Sequence, residues 1–462
     1  MKKIIGIAAF FCFAMSFLGT SAYAEKAADI THEISLQANI NTAKILDGSL
    51  ATCSGGENVN IKIQSEKEIG GIYLRFYKKP SQGTLDGNIP ISQNGFLAEY
   101  IDLSGQSRTQ AELFFKNAEI CELQVFSQGK VPKSVQRWVN TDTDTDLLLL
   151  ATHSDDDQLF FAGLLPYYTA REGTRVRVAY FVSHHDAPSR LHELLSGLWE
   201  CGVKYYPEIG IFPDAYSESL STARANLERA GYTYESVLEY QRYLLEKYRP
   251  QVVVLHDFRG EYSHGQHIIN TQSFTDELEN TVSGQHKPLK VYVHLYGENT
   301  IRLDIDTPLS AFDGRSAFKV SQDAFRHHKS QHWTWFYRWI YGSAGNITSS
   351  AQIKSYNPAL YGLYYTSVGA DSANDMLENI TLYRDIEEAE RVAALERQRA
   401  EAEKQRQKEE AEKAARQAAE KEALMQAQRK RTRSLALLLL AAIPAVLVSA
   451  FGTARLLLKK RK

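Results

Sequence analysis

Four short, largely apolar runs constrain this chain more than anything else in it: Leu147–Ala151, Val176–Val182, Gln251–Leu255 and Lys290–Leu295. Longer stretches of helical character lie between them, around Gln158–Tyr168, Ser189–Cys201 and Tyr234–Tyr248. A run that is apolar throughout has no solvent-facing side, so a strand made from it must be covered on both faces. Strands alternating with helices meet that demand as a mostly parallel sheet between helical layers. The expected fold of residues 137–384 is therefore α/β. Ligands of such sheets bind beyond the carboxyl ends of the strands.

Two clusters of His and acidic residues fall at those ends. Thr152-His153-Ser154-Asp155-Asp156-Asp157 directly follows the first run, and Gly260-Glu261-Tyr262-Ser263-His264-Gly265-Gln266-His267 comes soon after the third. Three consecutive carboxylates repel one another unless they are solvated or bound to a cation. A solvated loop capping the next helix would also explain them, since Asp favours helix N-caps. A lone His-x-x-His is common by chance. At two strand ends of one sheet, however, the clusters together offer two imidazoles and several carboxylates. Two His and one carboxylate with an open position form a hydrolytic zinc arrangement.

In order, strand context and spacing the pair resembles the PIG-L/LmbE-like family of metal-dependent de-N-acetylases, whose motifs read A/P-H-P-D-D-E and H-x-x-H. Arg190 and Glu193, Cys201-Gly202-Val203 and His328-Lys329-Ser330-Gln331 extend the resemblance. Tyr361-Gly362-Leu363-Tyr364, Asp371 and Asp375-Met376-Leu377-Glu378 carry it on, so that it runs from about Thr145 to Tyr383. It implies a Rossmann-like, mostly parallel sheet and an N-deacetylase, a hydrolase of linear amide C–N bonds. It implies Zn²⁺ or another divalent transition metal held by His153, Asp156 and His267. Asp155 would be the general base, His264 the stabiliser of the tetrahedral intermediate, and Arg190 a substrate contact. Ser154 replaces the motif's Pro, Asp157 replaces its Glu, and Gly265-Gln266 stands where Pro-Asp is common. These departures bear on rate and metal preference. The implied substrate is an N-acetylated amino sugar or glycoconjugate. The competing readings are a non-sugar amide as substrate, and a glycan-binding surface protein whose metal site is inert or structural.

His184 and His185 follow the second run, and polar loop residues are the favoured reading for both. Trp333, Trp335 and Trp339 with Phe336 and Tyr337 form an aromatic cluster, for which helix packing is favoured over a sugar-stacking platform.

Residues 25–136 show alternating runs such as Val59–Ile63, Ile72–Phe76 and Glu122–Phe126, separated by Gly, Pro, Asn and Ser. That pattern argues for an all-β sandwich. Ile45-Leu46-Asp47-Gly48-Ser49-Leu50-Ala51-Thr52 with Ile120-Cys121-Glu122-Leu123-Gln124-Val125-Phe126 resembles the discoidin-like (F5/8 type C) jelly rolls. That resemblance implies a glycan or membrane-surface ligand, with a ligand-free packing domain as the alternative. Cys53 and Cys121 lie near the two ends of this module, and in an oxidising compartment a disulfide between them is expected. Cys201 is expected to be a buried thiol.

The ends of the chain give its address. Lys2 and Lys3, the apolar run Ile4–Phe17 and Ala22-Tyr23-Ala24 make residues 1–24 a secretory signal peptide. Residues 385–433 are almost entirely Glu, Lys, Arg, Gln and Ala, which reads as one exposed helical stalk, with favourable pairs such as Glu387/Arg391 and Glu409/Lys413. Leu435–Ala454 is long enough for a bilayer of about 30 Å, within an expected transmembrane helix over 435–458. Residues 459–462 form a basic tail, expected to be cytoplasmic, which puts the catalytic domain outside. A net charge of −2 over 462 residues supplies no basic field for nucleic acid, so no nucleic-acid partner is expected.

Overall fold

The computed structural model describes residues 26–139 and 144–458, with side chains through Ala442. The expected signal peptide and basic tail lie outside the described residues. The chain divides into two units, Met1–Arg384 and Asp385–Lys462.

The first unit begins with β1 (Ser35–Ala38), β2 (Ser54–Gln64), β3 (Ile69–Lys78), β4 (Gln82–Leu85), β5 (Ile89–Ile91), β6 (Ala98–Asp102) and β7 (Gln110–Ser127). Val59, Ile61 and Ile63 are buried while Asn60, Lys62 and Gln64 are exposed, the period-two pattern of a half-covered strand. The all-β expectation holds, but not as two separate sheets. The 18-residue β7 pairs with β2 over Gln110–Ile120, with β4 over Leu113–Lys116, and with β3 over Glu119–Ser127. One long strand thus joins all seven into a single antiparallel sheet. Cys53, Cys121 and Cys201 are free thiols, which corrects the expected Cys53–Cys121 disulfide. Cys53 Sγ instead lies 3.5 Å from Glu119 Oε2.

The second part of this unit contains β8 (Leu147–Ala151), α1 (Leu164–Thr169), β9 (Val176–Tyr180), α2 (Pro188–Glu200), α3 (Leu220–Arg229), α4 (Tyr234–Tyr248) and β10 (Val252–Leu255). It continues with α5 (Gly265–Asn280), β11 (Lys290–His294), β12 (Thr300–Arg302), α6 (Ala317–Phe325), α7 (Trp335–Tyr341) and β13 (Leu360–Thr366). The sheet order is β12-β13-β11-β10-β8-β9. β9, β8, β10 and β11 are parallel, and β13 and β12 are antiparallel additions at one edge. Leu147, Leu149, Val252 and Val254 enter one core with Leu164, Leu165, Leu194 and Phe318. Leu148, Leu150, Val253 and Leu255 enter a second with Leu227, Val237, Leu244 and Phe274. Both faces of each strand are therefore covered, which is why its sequence is apolar without alternation.

The expected helix over Gln158–Tyr168 is shorter. A 3-10 turn at Asp156–Gln158 comes first, and α1 starts only at Leu164. Between them Gly163 takes φ +89, and a Cβ there would stand 2.7 Å from the Ile305 side chain. The left-handed Gly163 thus separates the acidic 3-10 turn from α1. The β-module is joined to this part by Leu97 N donating to Tyr206 OH at 2.9 Å and by stacked Phe96 and Tyr206 rings.

The second unit is one helix, α8 (Tyr383–Leu458), which starts in the last residues of the first. Every described side chain from Ala394 to Ala442 is exposed, in keeping with its Ala and charge composition. Arg391 pairs with Glu388 at 2.6 Å. Among the described residues no helix is long and apolar enough to cross a membrane. The expected span at 435–458 falls mostly on side chains outside the described ones.

Candidate metal centre

The carboxyl ends of β8 and β10 bring the two clusters together. Asp156 is held by the backbone of its own loop: the N–H groups of Thr152 and His153 donate to its Oδ2 at 3.1 and 2.6 Å. His264 caps α5 by accepting from Gln266 N at 3.1 Å through Nδ1, and His267 follows in the first turn. Gly265 allows this, because a Cβ there would lie 2.2 Å from the Ser219 carbonyl oxygen.

His153 Nδ1, Asp156 Oδ2 and His267 Nε2 form a triangle. The His153–His267 edge is 3.2 Å, and Asp156 lies 3.4 Å from each imidazole nitrogen. All three residues are buried. Four donors arranged tetrahedrally at zinc bond lengths stand about 3.3 Å apart. The hydrogen-bond partners assign the tautomers. His153 Nε2 lies 3.2 Å from Gln266 Oε1, and His267 Nδ1 lies 2.7 Å from Glu261 Oε2, so each of these nitrogens carries the proton. With both rings neutral, two imidazole lone pairs and a carboxylate oxygen converge on one point, an arrangement that suits a cation. The donor set fits a divalent transition metal.

Glu261 organises the surroundings. Its Oε2 accepts from His256 Nδ1 and His267 Nδ1, both at 2.7 Å, and its Oε1 from His294 Nδ1 at 2.6 Å and Asp257 N at 3.2 Å. Burial opposes its charge, but His256 and these hydrogen bonds outweigh it and hold its pKa well below the usual range. The group of His256, Glu261 and His267 is also compact enough to hold an ion. Its 2.7 Å contacts are nevertheless donor–acceptor distances, too short for two ligands of one ion. Burial lowers the pKa of His256, but Glu261 and Asp156 outweigh it and raise it to about 9.

Asp155 is buried, and its Oδ2 has no hydrogen-bond partner. Burial raises its pKa, against the pull of Arg190. Arg190 Nη2 lies 3.6 Å from Asp155 Oδ1, and Nη1 lies 3.0 Å from Asp214 Oδ2. His184 sits at φ +46, buried, 3.5 Å from Asp214, while His185 is exposed. His184 is thus a loop residue, as expected, but one buried beside this centre. Asp157 is also fully buried, and burial pushes its carboxyl well up. His264 lies with its ring 4.7 Å from those of His153 and His267. Burial, reinforced by His153 and His267, lowers its pKa, so the ring is neutral. Because Nδ1 accepts from Gln266 N, its proton is on Nε2.

Every site residue expected from the sequence falls in or beside this centre. Sequence reasoning assigned no role to Glu261, His256, His294 or Asp214. His256 directly follows β10 and His294 ends β11, so the strand-end rule that found His153 could have found both. Asp214 lies in a loop with no such signal.

No protein-family profile and no curated protein matches the sequence. Among solved structures, the chain is similar to the conserved protein TT1542 from Thermus thermophilus, at 17% identity, TM-score 0.27, over 40% of this chain and 80% of that one. It is similar to a zinc-inhibited form of teicoplanin deacetylase Orf2 at 15% identity, TM-score 0.29, over 44% and 88%. It is likewise similar to the 4-carboxy-2-hydroxymuconate hydratase GalB of Pseudomonas putida at 14% identity, TM-score 0.31, over 50% and 100%. Likenesses this slight carry no weight for activity, which rests on the geometry.

Proposed function

We propose that the chain is a metal-dependent N-deacetylase that removes acetyl from an N-acetylated amino sugar or glycoconjugate at the outer face of the cell envelope, as a member of the PIG-L/LmbE-like family. The observation that carries the reading is the His153–Asp156–His267 triangle, whose edges of 3.2 and 3.4 Å match one tetrahedral ion. A divalent metal held by these three residues would supply water acidic enough to ionise near pH 7 and would polarise the acetyl carbonyl. Asp155, adjacent to a ligand yet unpaired at Oδ2, takes the water's proton and passes it to the leaving amine. His264, with its proton on Nε2, donates to the oxyanion that develops, a contribution of about 3 kcal/mol. Arg190 spans Asp155 and Asp214 and is placed to orient the substrate.

The envelope address rests on the signal-peptide pattern of residues 1–24 and the apolar run Leu435–Ala454. The test is metal content together with acetate released from a panel of N-acetyl sugars and N-acetyl amino acids. About one metal per chain and acetate from the sugars support the reading. Acetate from the amino acids alone points to a non-sugar amide, and a chain without bound metal contradicts the proposal.

A further inference from the structure

The aromatic cluster after α6 divides in two. Phe336 and Trp339 are partly buried and pack on Phe160, whose ring lies 5.6 Å from that of His267. Trp335 packs on Phe336 at 4.4 Å yet is 46% exposed, so packing leaves much of its ring open to solvent; Trp333 is 85% exposed. Trp335 meets the Tyr262 ring at 5.6 Å and 84°, and Tyr262 in turn lies 5.4 Å from His264. Tyr216, 61% exposed and on a separate loop, meets the same His264 ring at 5.1 Å and 88°. Gln266 pins that loop, accepting from Ala215 N at 3.2 Å and donating to Pro213 O at 2.9 Å.

Single exposed aromatics are ordinary, but aromatics gathered at one place mark a site of interaction. Here two separate segments bring Tyr216 directly, and Trp335 through Tyr262, to the His264 ring. A pyranose ring presents a flat C–H face and a rim of hydroxyls, and so suits an aromatic wall edged by polar groups. Arg190 and Asp214 supply such groups beside the same centre. A rim built to enter a membrane has no need to converge on a reaction centre.

We propose that Trp335 and Tyr216 form stacking subsites for the sugar units flanking the one whose amide lies at the metal, so that the substrate is an oligomeric glycan and not a free monosaccharide. This rests on the deacetylase reading above.

The experiment uses the full-length, zinc-loaded protein with N-acetylglucosamine and its oligomers of two to five units, scoring acetate release and, separately, quenching of tryptophan fluorescence by the tetramer. From monomer to tetramer kcat/KM is expected to rise about 10-fold or more. Trp335→Ala and Tyr216→Ala are each expected to raise KM for the tetramer about 5-fold, with kcat little changed and zinc content retained. Trp335→Phe, which keeps a ring face and the packing, should recover most of that loss. Equal kcat/KM at every length, or unchanged tetramer KM in both alanine variants, overturns the subsites while leaving the deacetylase reading intact. Tetramer binding that depends on Trp335 without acetate release from any oligomer does the reverse. Loss of binding to phosphatidylglycerol vesicles in the alanine variants, with tetramer binding unchanged, would assign the aromatics to a membrane and overturn the proposal.

Discussion

The amide oxygen of Gln266 lies 3.2 Å from His153 Nε2, and the same side chain holds the 213–215 loop through both of its ends. One residue therefore sets the tautomer of a proposed metal ligand and the position of Tyr216. Gln266→Leu removes both contacts. Outer-shell partners of this kind are worth about 10- to 100-fold in metal affinity. A fall in zinc affinity of that order is expected from chelator competition, and an unchanged affinity would show that His153 needs no such partner.

Glu261 is the buried carboxylate on which three imidazoles depend. Glu261→Gln leaves the shape but removes the charge, and an amide nitrogen then faces N–H groups. A loss of about 3 kcal/mol in unfolding free energy is expected from denaturant titration, the scale for breaking a buried charged cluster. Metal affinity should fall with it, since His267 Nδ1 loses its acceptor. A variant as stable as the parent would mean that these imidazoles rearrange without cost.

Stability should respond to pH through Glu122, far from the metal. Its Oε2 is buried without a partner, and burial raises its pKa from the usual 4.5 to about 7, with Arg75 opposing. Between those values the unfolded chain loses the proton while the native state keeps it, so stability falls as pH rises through this window. Glu122→Gln removes that fall. The melting temperature of the variant relative to the parent should therefore climb from about pH 5 to about pH 7.5. A constant difference across the range would contradict the assignment.

The parallel sheet is legible in the sequence because strands covered on both faces must be apolar throughout, and α4 is legible from Tyr234 to Tyr248. The edge strands β12 and β13 are not, for Thr300–Arg302 is three residues long. The front module reads correctly as all-β, but the sharing of β7 between partners depends on long-range pairing that short alternating runs do not encode. His153, Asp156 and His267 are visible because their spacing follows two strand ends. Glu261, His256 and His294 act through contacts between distant segments, 33 residues apart for Glu261 and His294 and 104 for Thr152 and His256, which one motif cannot display. Trp333 and Trp335 go the other way: their composition suggests packing, and only the fold shows which faces remain uncovered.

The neighbouring carboxylates are expected to do different work, Asp156 holding the metal and Asp155 moving the proton. Asp156 Oδ2 lies 3.4 Å from each of two imidazole nitrogens, whereas Asp155 Oδ2 has no partner. The most direct measurement is zinc stoichiometry and acetate release for Asp155→Asn and Asp156→Asn side by side. Asp155→Asn is expected to keep its zinc and lose about 10²-fold or more in kcat. Asp156→Asn is expected to lose zinc and activity together. Zinc lost from Asp155→Asn but kept by Asp156→Asn would exchange the two roles, and full deacetylation by both variants would show that the reaction occurs elsewhere.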